Sequence, residues 1–340
     1  MSVTAIGFIG LFFLFLFLVL RMPVAMAMLV VGFVGTWVVN GTVPALTSLS
    51  GEAFEIISFS QLTVVPLFVL MGNLAGVSGM SRDLYNAAYK WIGHFRGGLA
   101  SATIVGCAGF AAMSGSSIAA AVTMGRVALP EMKRFKYSDS LATGSVAAGG
   151  TLGILIPPST GMIIYAILTE QSIGRLFMAG ILPGLLLTGL FLTAIYIVTK
   201  RNPEKGPAGP RATFKERLAS LRAAGTIVSV VLMTIGGIYL GWFTPVEAAG
   251  VGAFMVLVIA LYRKELNWPK AKFVVLQTLR TTATVFMILI GAHVFIPFMA
   301  LTEIPEDLVT FLVGLDVGNL GVLIIILLTY IVLGTFLEGL

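Results

Sequence analysis

The sequence predicts an all-helical integral membrane protein, and three observations carry that prediction. Of its 340 residues, 58% are hydrophobic and 11% charged, where soluble domains carry about 25% charge. Apolar runs near the roughly 20 residues that a bilayer-spanning helix requires recur from end to end. The alternating segments of about 10 residues that mark membrane-barrel strands are missing.

The elements follow in order from hydropathy and charge, since basic residues mark cytoplasmic loops. Residues 3–20 form the first apolar run. It lacks the basic start and small-residue cleavage site of a secretory signal, so it reads as a retained span. Arg21 follows it, and a second span, 22–39, ends in a segment without Lys or Arg that carries Glu52 and Glu55. A third span, 62–77, leads to Arg82, Lys90 and Arg96. The N-terminus is therefore expected outside.

Residues 97–125 break the simple count. Arg96 precedes them, and Arg126, Lys133, Arg134 and Lys136 follow, so both flanks read as cytoplasmic. The segment is expected to enter the membrane and return, as two helices of about 10 to 14 residues, each too short to span. Its turn would be the cluster "SGSS", Ser114 to Ser117. Irregular backbone at that depth survives only where protein or a wet cavity surrounds it.

Residues 139–168 then cross outward and 176–199 cross back. They arrive at "KRNPEKGPAGPRATFKERLASLR", which has seven basic residues, three prolines and two glycines. This stretch, 200–222, reads as a solvated cytoplasmic linker. Spans at 225–240, 246–262 and 282–298 follow, and the last exits to a segment with four carboxylates and no Lys or Arg. On this topology 20 of the 21 basic residues face the cytoplasm, Arg175 being the exception. The net charge of +6 is thereby a topology signal and not a nucleic-acid surface. A single cysteine, Cys107, excludes disulfides within the chain, and His94 and His293 lack convergent partners for metal or catalytic work.

Two stretches share a pattern. Residues 81–117 and 305–339 each begin with an Asp-Leu pair in an amphipathic segment, pass a glycine turn and enter a long apolar run. The first is basic and the second acidic, as an inverted-topology repeat requires, and such repeats build many secondary transporters.

The stretch "GSVAAGGTLGILIPPSTGMIIYAIL" places a proline pair inside a span. Proline removes a backbone donor and disfavours helix at the preceding residue, so a discontinuous helix is expected, broken between Gly153 and Ser159. Freed carbonyls, with the hydroxyls of Ser114 and Ser117, would make an all-oxygen cage suited to Na⁺. The helix starts after Ser117 and Pro158 would offer partial positive charge to an anion. The alternative for each serine is close helix packing. Farther on, Thr244, Pro245 and Glu247 have the spacing of a capped helix start, which by itself accounts for Glu247.

"GFAAMSGSS", "GTLGILIPPS" and "GIYLGWFTPVEAAGVGA", in this order and spacing, resemble the large membrane (M) subunit of tripartite ATP-independent periplasmic (TRAP) transporters, of the ion transporter superfamily. The likeness runs from "RMPVAMAM" to "GTFLEGL", essentially the whole chain. It implies an inverted-repeat, elevator-type secondary transporter in a bacterial inner membrane, not an enzyme. Residues 1–80 and 223–298 would be scaffold, 81–199 the first repeat, and 299–340 the start of the second. The activity implied is Na⁺-coupled import of an organic acid anion such as a C4-dicarboxylate, sialic acid or another sugar acid. No cofactor beyond the coupling ion is implied. The implied partners are a periplasmic substrate-binding protein and a small four-helix membrane subunit. Carried onto this sequence, the cation site would use Ser114, Ser117, Gly153, Ile156 and Pro158, and the substrate would lie near Ser116, Ser159 and Thr160.

The family continues past a motif like "GTFLEGL", completing a second hairpin, whereas this sequence stops at Leu340. A chain of this extent is expected to lack the second half-site and to be inactive. Three rivals stay open on the residues, one of them a channel, against which two broken elements favour an occluded site. A stand-alone Na⁺/carboxylate symporter would have the same fold without partners. An intramembrane serine hydrolase, with Ser114, Ser116 or Ser117 as nucleophile, would need a base within hydrogen-bond reach.

Overall fold

A computed structural model describes residues 2–314 and 317–336. In chain order the helices are α1 (Val3–Val19), α2 (Val24–Asn40), α3 (Thr42–Ser58), α4 (Val64–Val77) and α5 (Met80–Ile92). Next come α6 (Gly98–Ser114), α7 (Ser117–Arg134), α8 (Asp139–Leu155), α9 (Thr160–Leu168) and α10 (Ile173–Arg201). The remainder are α11 (Phe214–Val231), α12 (Gly237–Tyr239), α13 (Pro245–Tyr262), α14 (Trp268–Leu301), α15 (Ile304–Gly314) and α16 (Gly318–Phe336). No strand occurs among the described residues. Six segments are long and apolar enough to cross a membrane, namely Ser60–Val77, Asp139–Leu168, Ile173–Arg201, Phe214–Tyr239, Pro245–Tyr262 and Trp268–Leu301. The chain is a multi-pass membrane protein.

The described residues form two compact units, one from residues before 63 and after 282, the other Thr63–Thr282. In the first unit, small residues bring helices together. A Cβ on Gly32 of α2 would lie 2.6 Å from the Val294 carbonyl oxygen of α14, and one on Gly35 would meet the Phe298 ring. Residues 42–58, read from sequence as an external connection, are helical. Ala45, Leu49, Ala53 and Ile56 recur at helical spacing along the covered side of α3, a period that its interspersed hydroxyls and carboxylates conceal. In this unit α15, of 11 residues, precedes α16, of 19. The last residues of the second stretch of the expected repeat, 337–340, lie outside the described residues, as do 315 and 316.

In the second unit α6, α7 and α8 pack on one another, α5 lies against α6 and α11, and α4 packs on α13. Phe110 and Ile104 of α6, Met124 and Met132 of α7 and Leu152 of α8 are fully buried there. The hairpin arms are longer than the sequence suggested, 17 residues in α6 and 18 in α7. The reading ended the second arm at residue 125, before the basic cluster. Instead α7 runs on through Pro130 to Arg134, because Met124, Ala128 and Met132 lie one turn apart and are all buried.

Most of segment 200–222 is exposed, and it also makes backbone bonds to the rest of the unit. The Gly206 carbonyl accepts from Gly97 N (2.9 Å), Gly209 N donates to the Gly93 carbonyl (2.9 Å), and the Lys205 carbonyl accepts from Ser138 N (3.0 Å). These bonds tie it to the foot of the hairpin and to the start of α8. Its last third belongs to α11, which opens on a Thr213–Glu216 capping box. At the same end of the unit Arg263 pairs with Asp83 and donates to Thr226 Oγ1 at 3.0 Å.

Candidate functional site

The site grows from two interruptions that meet. The first is the hairpin tip. Helix α6 ends at Ser114, Gly115 turns the chain with φ +58°, and Ser116 caps α7 by accepting from Ala119 N at 3.3 Å. Only a residue without Cβ adopts this left-handed conformation at no steric cost. The second is the break between α8 and α9. The sequence placed it from Gly153 to Ser159, but α8 continues to Leu155 and the non-helical residues are Ile156 to Ser159. Ile156 turns extended because a proline follows it, and the Pro157–Pro158 peptide is cis. Gly153 stays helical and performs a packing task instead.

Tertiary contacts join these two features. Thr160 donates to the Gly115 carbonyl from both its backbone N (3.3 Å) and its Oγ1 (3.1 Å). A Cβ on Gly115 would stand 2.4 Å from the Pro158 carbonyl oxygen. On the α8 side, a Cβ on Gly153 would stand 2.6 Å from Ser116 C and O, and one on Gly150 would stand 2.7 Å from Ala121 Cβ. From α4, a Cβ on Gly72 would meet Ser114 Cα at 2.6 Å. Glycine on three sides thus lets backbone approach backbone, and carbonyl oxygens crowd round the tip. Gly72 and the Thr160–Gly115 bonds were not found by reading the sequence. The only local signal for Gly72 is its place beside Asn73, whose amide donates to Thr278 Oγ1 at 3.0 Å.

The expected site residues divide by what they do. Ser114 is buried at 5% exposure, and its hydroxyl has no hydrogen-bond partner. A buried hydroxyl in that state costs about 1–3 kcal/mol. Ser117 is half-buried at the first position of α7, and Pro158 is buried beside Gly115. Ile156 turns its side chain onto α10, where a Cβ on Gly184 would touch it at 2.7 Å. Ser116, Ser159 and Thr160 all have structural partners. Ser159 caps α9 by accepting from Met162 N (3.4 Å) and is fully buried, and Thr160 is bonded to Gly115 as described. Of the eight residues, Ser114 alone has a buried side-chain polar atom left unsatisfied. All but the Ile156 side chain gather at one place.

Helix ends give the place its polarity. The C-termini of α6 and α8 carry partial negative charge, which favours a cation, and the N-termini of α7 and α9 carry the opposite sign. A nucleophilic role for these serines has no general base in this unit. His94 stacks on Phe95 at the foot of the hairpin, about 25 Å from Ser114 at 1.5 Å per residue of α6. The capping box expected at Thr244 and Glu247 is formed. Glu247 N donates to Thr244 Oγ1 (3.3 Å), and Thr244 N donates to Glu247 Oε2 (2.8 Å).

A helical hairpin seated against an interrupted helix, in a bundle of membrane-length helices, is the construction of a membrane transport protein. Residues 11–340 match the family described as "Tripartite ATP-independent periplasmic transporter, DctM component", and the chain belongs to that family. It is 36% identical over 295 residues to the C4-dicarboxylate TRAP transporter large permease protein of Pseudomonas aeruginosa, a match covering 86% of this chain and 69% of the relative. The isethionate TRAP transporter permease of Oleidesulfovibrio alaskensis is 34% identical, with 96% of this chain and 51% of the relative covered. For the sialic acid TRAP transporter large permease of Vibrio cholerae the figures are 31%, 98% and 76%. The chain therefore spans between half and three quarters of the length of these relatives. They are named permeases, and the hydrolase reading is set aside: this is a transporter subunit and not an enzyme.

Proposed function

We propose that the chain carries out the membrane step of Na⁺-coupled import of an organic acid anion, within a complete permease in a bacterial inner membrane with its N-terminus periplasmic. A periplasmic binding protein delivers the anion, and a small four-helix membrane subunit braces the scaffold. The hairpin and broken helix move together, elevator-fashion, between the two faces. The names of the relatives support a small carboxylate or sulfonate as substrate.

One observation carries the cation half of this reading: the Ser114 hydroxyl is buried without a hydrogen-bond partner at the C-terminus of α6, against which the broken helix packs. A hard cation that takes oxygen ligands and tolerates carbonyls satisfies that group, and Na⁺ is such an ion. Ser117, Gly153, Ile156 and Pro158 complete the set by hydroxyl or backbone oxygen. Ser116, Ser159 and Thr160 hold the two helix N-termini in place, so that the anion is met by those helix ends.

The test is uptake by the complete permease in proteoliposomes, with binding protein supplied outside and radiolabelled succinate, N-acetylneuraminate and isethionate offered in turn. An inward sodium gradient should drive accumulation of at least one, and an equal potassium gradient should not. Equal accumulation under both gradients would overturn the coupling. Uptake at full rate without binding protein would favour the stand-alone symporter.

A further inference from the structure

Arg126 stands in the middle of the second hairpin arm with no charge partner among the described residues. Helix α7 runs from Ser117 to Arg134, so Arg126 lies about 13 Å beyond the tip and about 12 Å before the foot at 1.5 Å per residue. Arg134, on the same helix, pairs with Glu131 at 4.0 Å. Arg126 and Lys133 are the exceptions on α7, and both are exposed. They are seven residues apart, which puts them on one face, two turns from each other.

That face is open from tip to foot. Ile118 and Val122 are 62% and 49% exposed on it. A groove of about 610 Å³ follows the seam between α7 and α8, walled by Val122, Leu129, Pro130 and Val146, with Arg126 and Lys133 along it. A charged side chain inside a membrane protein is costly, and it marks a substrate or ion pathway when it faces the interior or a wet cavity. Arg126 lies about two turns of α7, roughly 10 Å, from Lys133 toward the tip.

We infer that Arg126 is a transit site for the transported anion on the cytoplasmic side of the hairpin tip, with Lys133 the next step outward. The inference rests on the function proposed above. A guanidinium offers a planar fork that pairs carboxylate or sulfonate oxygens. One such group in an open groove holds an anion loosely, and a transit site must release what it binds. An anion leaving the two helix N-termini meets Arg126 first and Lys133 about 10 Å later.

The experiment uses the complete permease with its partners in proteoliposomes, and the unmodified protein comes first. If it shows no sodium-driven uptake of any offered anion, the parent function falls, a result separate from anything at position 126. Given uptake, Arg126→Cys should lower the maximal rate about tenfold, equivalent to ~1.4 kcal/mol, with the half-saturating sodium concentration unchanged. Cys107, the one cysteine of this sequence, is buried, and treating the unmodified complex with the same reagents assigns the reaction to the new thiol. A cationic methanethiosulfonate should restore at least half the rate, and an anionic one should not. Arg126→Lys should keep most of the rate. Arg126→Gln should lose it, and this pair decides the matter if the cysteine variant fails to assemble. A wild-type rate in Arg126→Cys, equal effects of the two reagents, or a Lys variant as impaired as the Gln variant would overturn the transit site.

Discussion

Ser114→Ala separates a cation ligand from a packing residue, because the two roles move stability in different ways. The Ser114 hydroxyl is buried and unpaired, a state that costs about 1–3 kcal/mol when no ligand relieves it. Removing the oxygen should therefore leave sodium-free stability unchanged or raise it by about 1 kcal/mol. The same removal takes one ligand from the ion, and a loss of ~1.4 kcal/mol weakens binding tenfold. Linkage turns that into a thermal signal. Sodium at 100 times its dissociation constant stabilises the unmodified protein by ~2.7 kcal/mol, while a tenfold weaker site gains only ~1.4 kcal/mol at the same concentration. The assay is thermal unfolding of the complete permease across a sodium titration, run beside uptake at each concentration. In the variant the sodium-induced stabilisation should be about half that of the parent, and half-saturation for uptake should shift about tenfold. If both sodium dependences stay where they were, Ser114 is a packing residue and the cage has been put in the wrong place.

Further outcomes follow from the same geometry. Gly115→Ala should abolish assembly, since it strains a φ of +58° and drives Cβ to 2.4 Å from the Pro158 oxygen, whereas Gly144→Ala, with nothing within 4 Å, should be neutral or slightly stabilising in a folding assay. Cysteine tags at Arg96 and Lys136, which flank the observed hairpin, should both label from the cytoplasm; external labelling of one would make its arm an ordinary span. Gly206→Val should impair folding, because a Cβ there already meets Thr199 Cγ2 at 2.8 Å. Arg211→Gln with Lys215→Gln should leave uptake near normal, and a loss of most activity would show that the charges of the segment matter as well as its backbone bonds. Glu247→Ala removes half of the capping box at α13 and should lower stability by about 1 kcal/mol without moving the sodium dependence; a shift in that dependence would give Glu247 a role beyond capping.

Local pattern in the sequence determined the helical membrane class, most span positions and the capping box at Thr244, Pro245 and Glu247. Each of these is written in neighbours three or four residues apart or in hydropathy averaged over one helix. The same local chemistry marked "SGSS" and the proline pair as two places where helix should fail. The sequence reading already joins the two failures in one cage, and the tertiary structure shows the contacts by which they meet. Thr160 reaches the Gly115 carbonyl across 45 positions of chain, and Gly72, Gly150 and Gly153 close round the tip from other helices. Glycine approach of this kind has no period, so nothing in the sequence says which glycine faces which backbone. Tertiary packing likewise carried α7 past the basic residues that seemed to end it, because buried Met132 and Ala128 outweigh Pro130 and the charges. That extension moved Arg126 from a supposed loop to the middle of a helix. It also tied a proline- and glycine-rich segment to the hairpin foot through backbone bonds, which no side-chain pattern encodes.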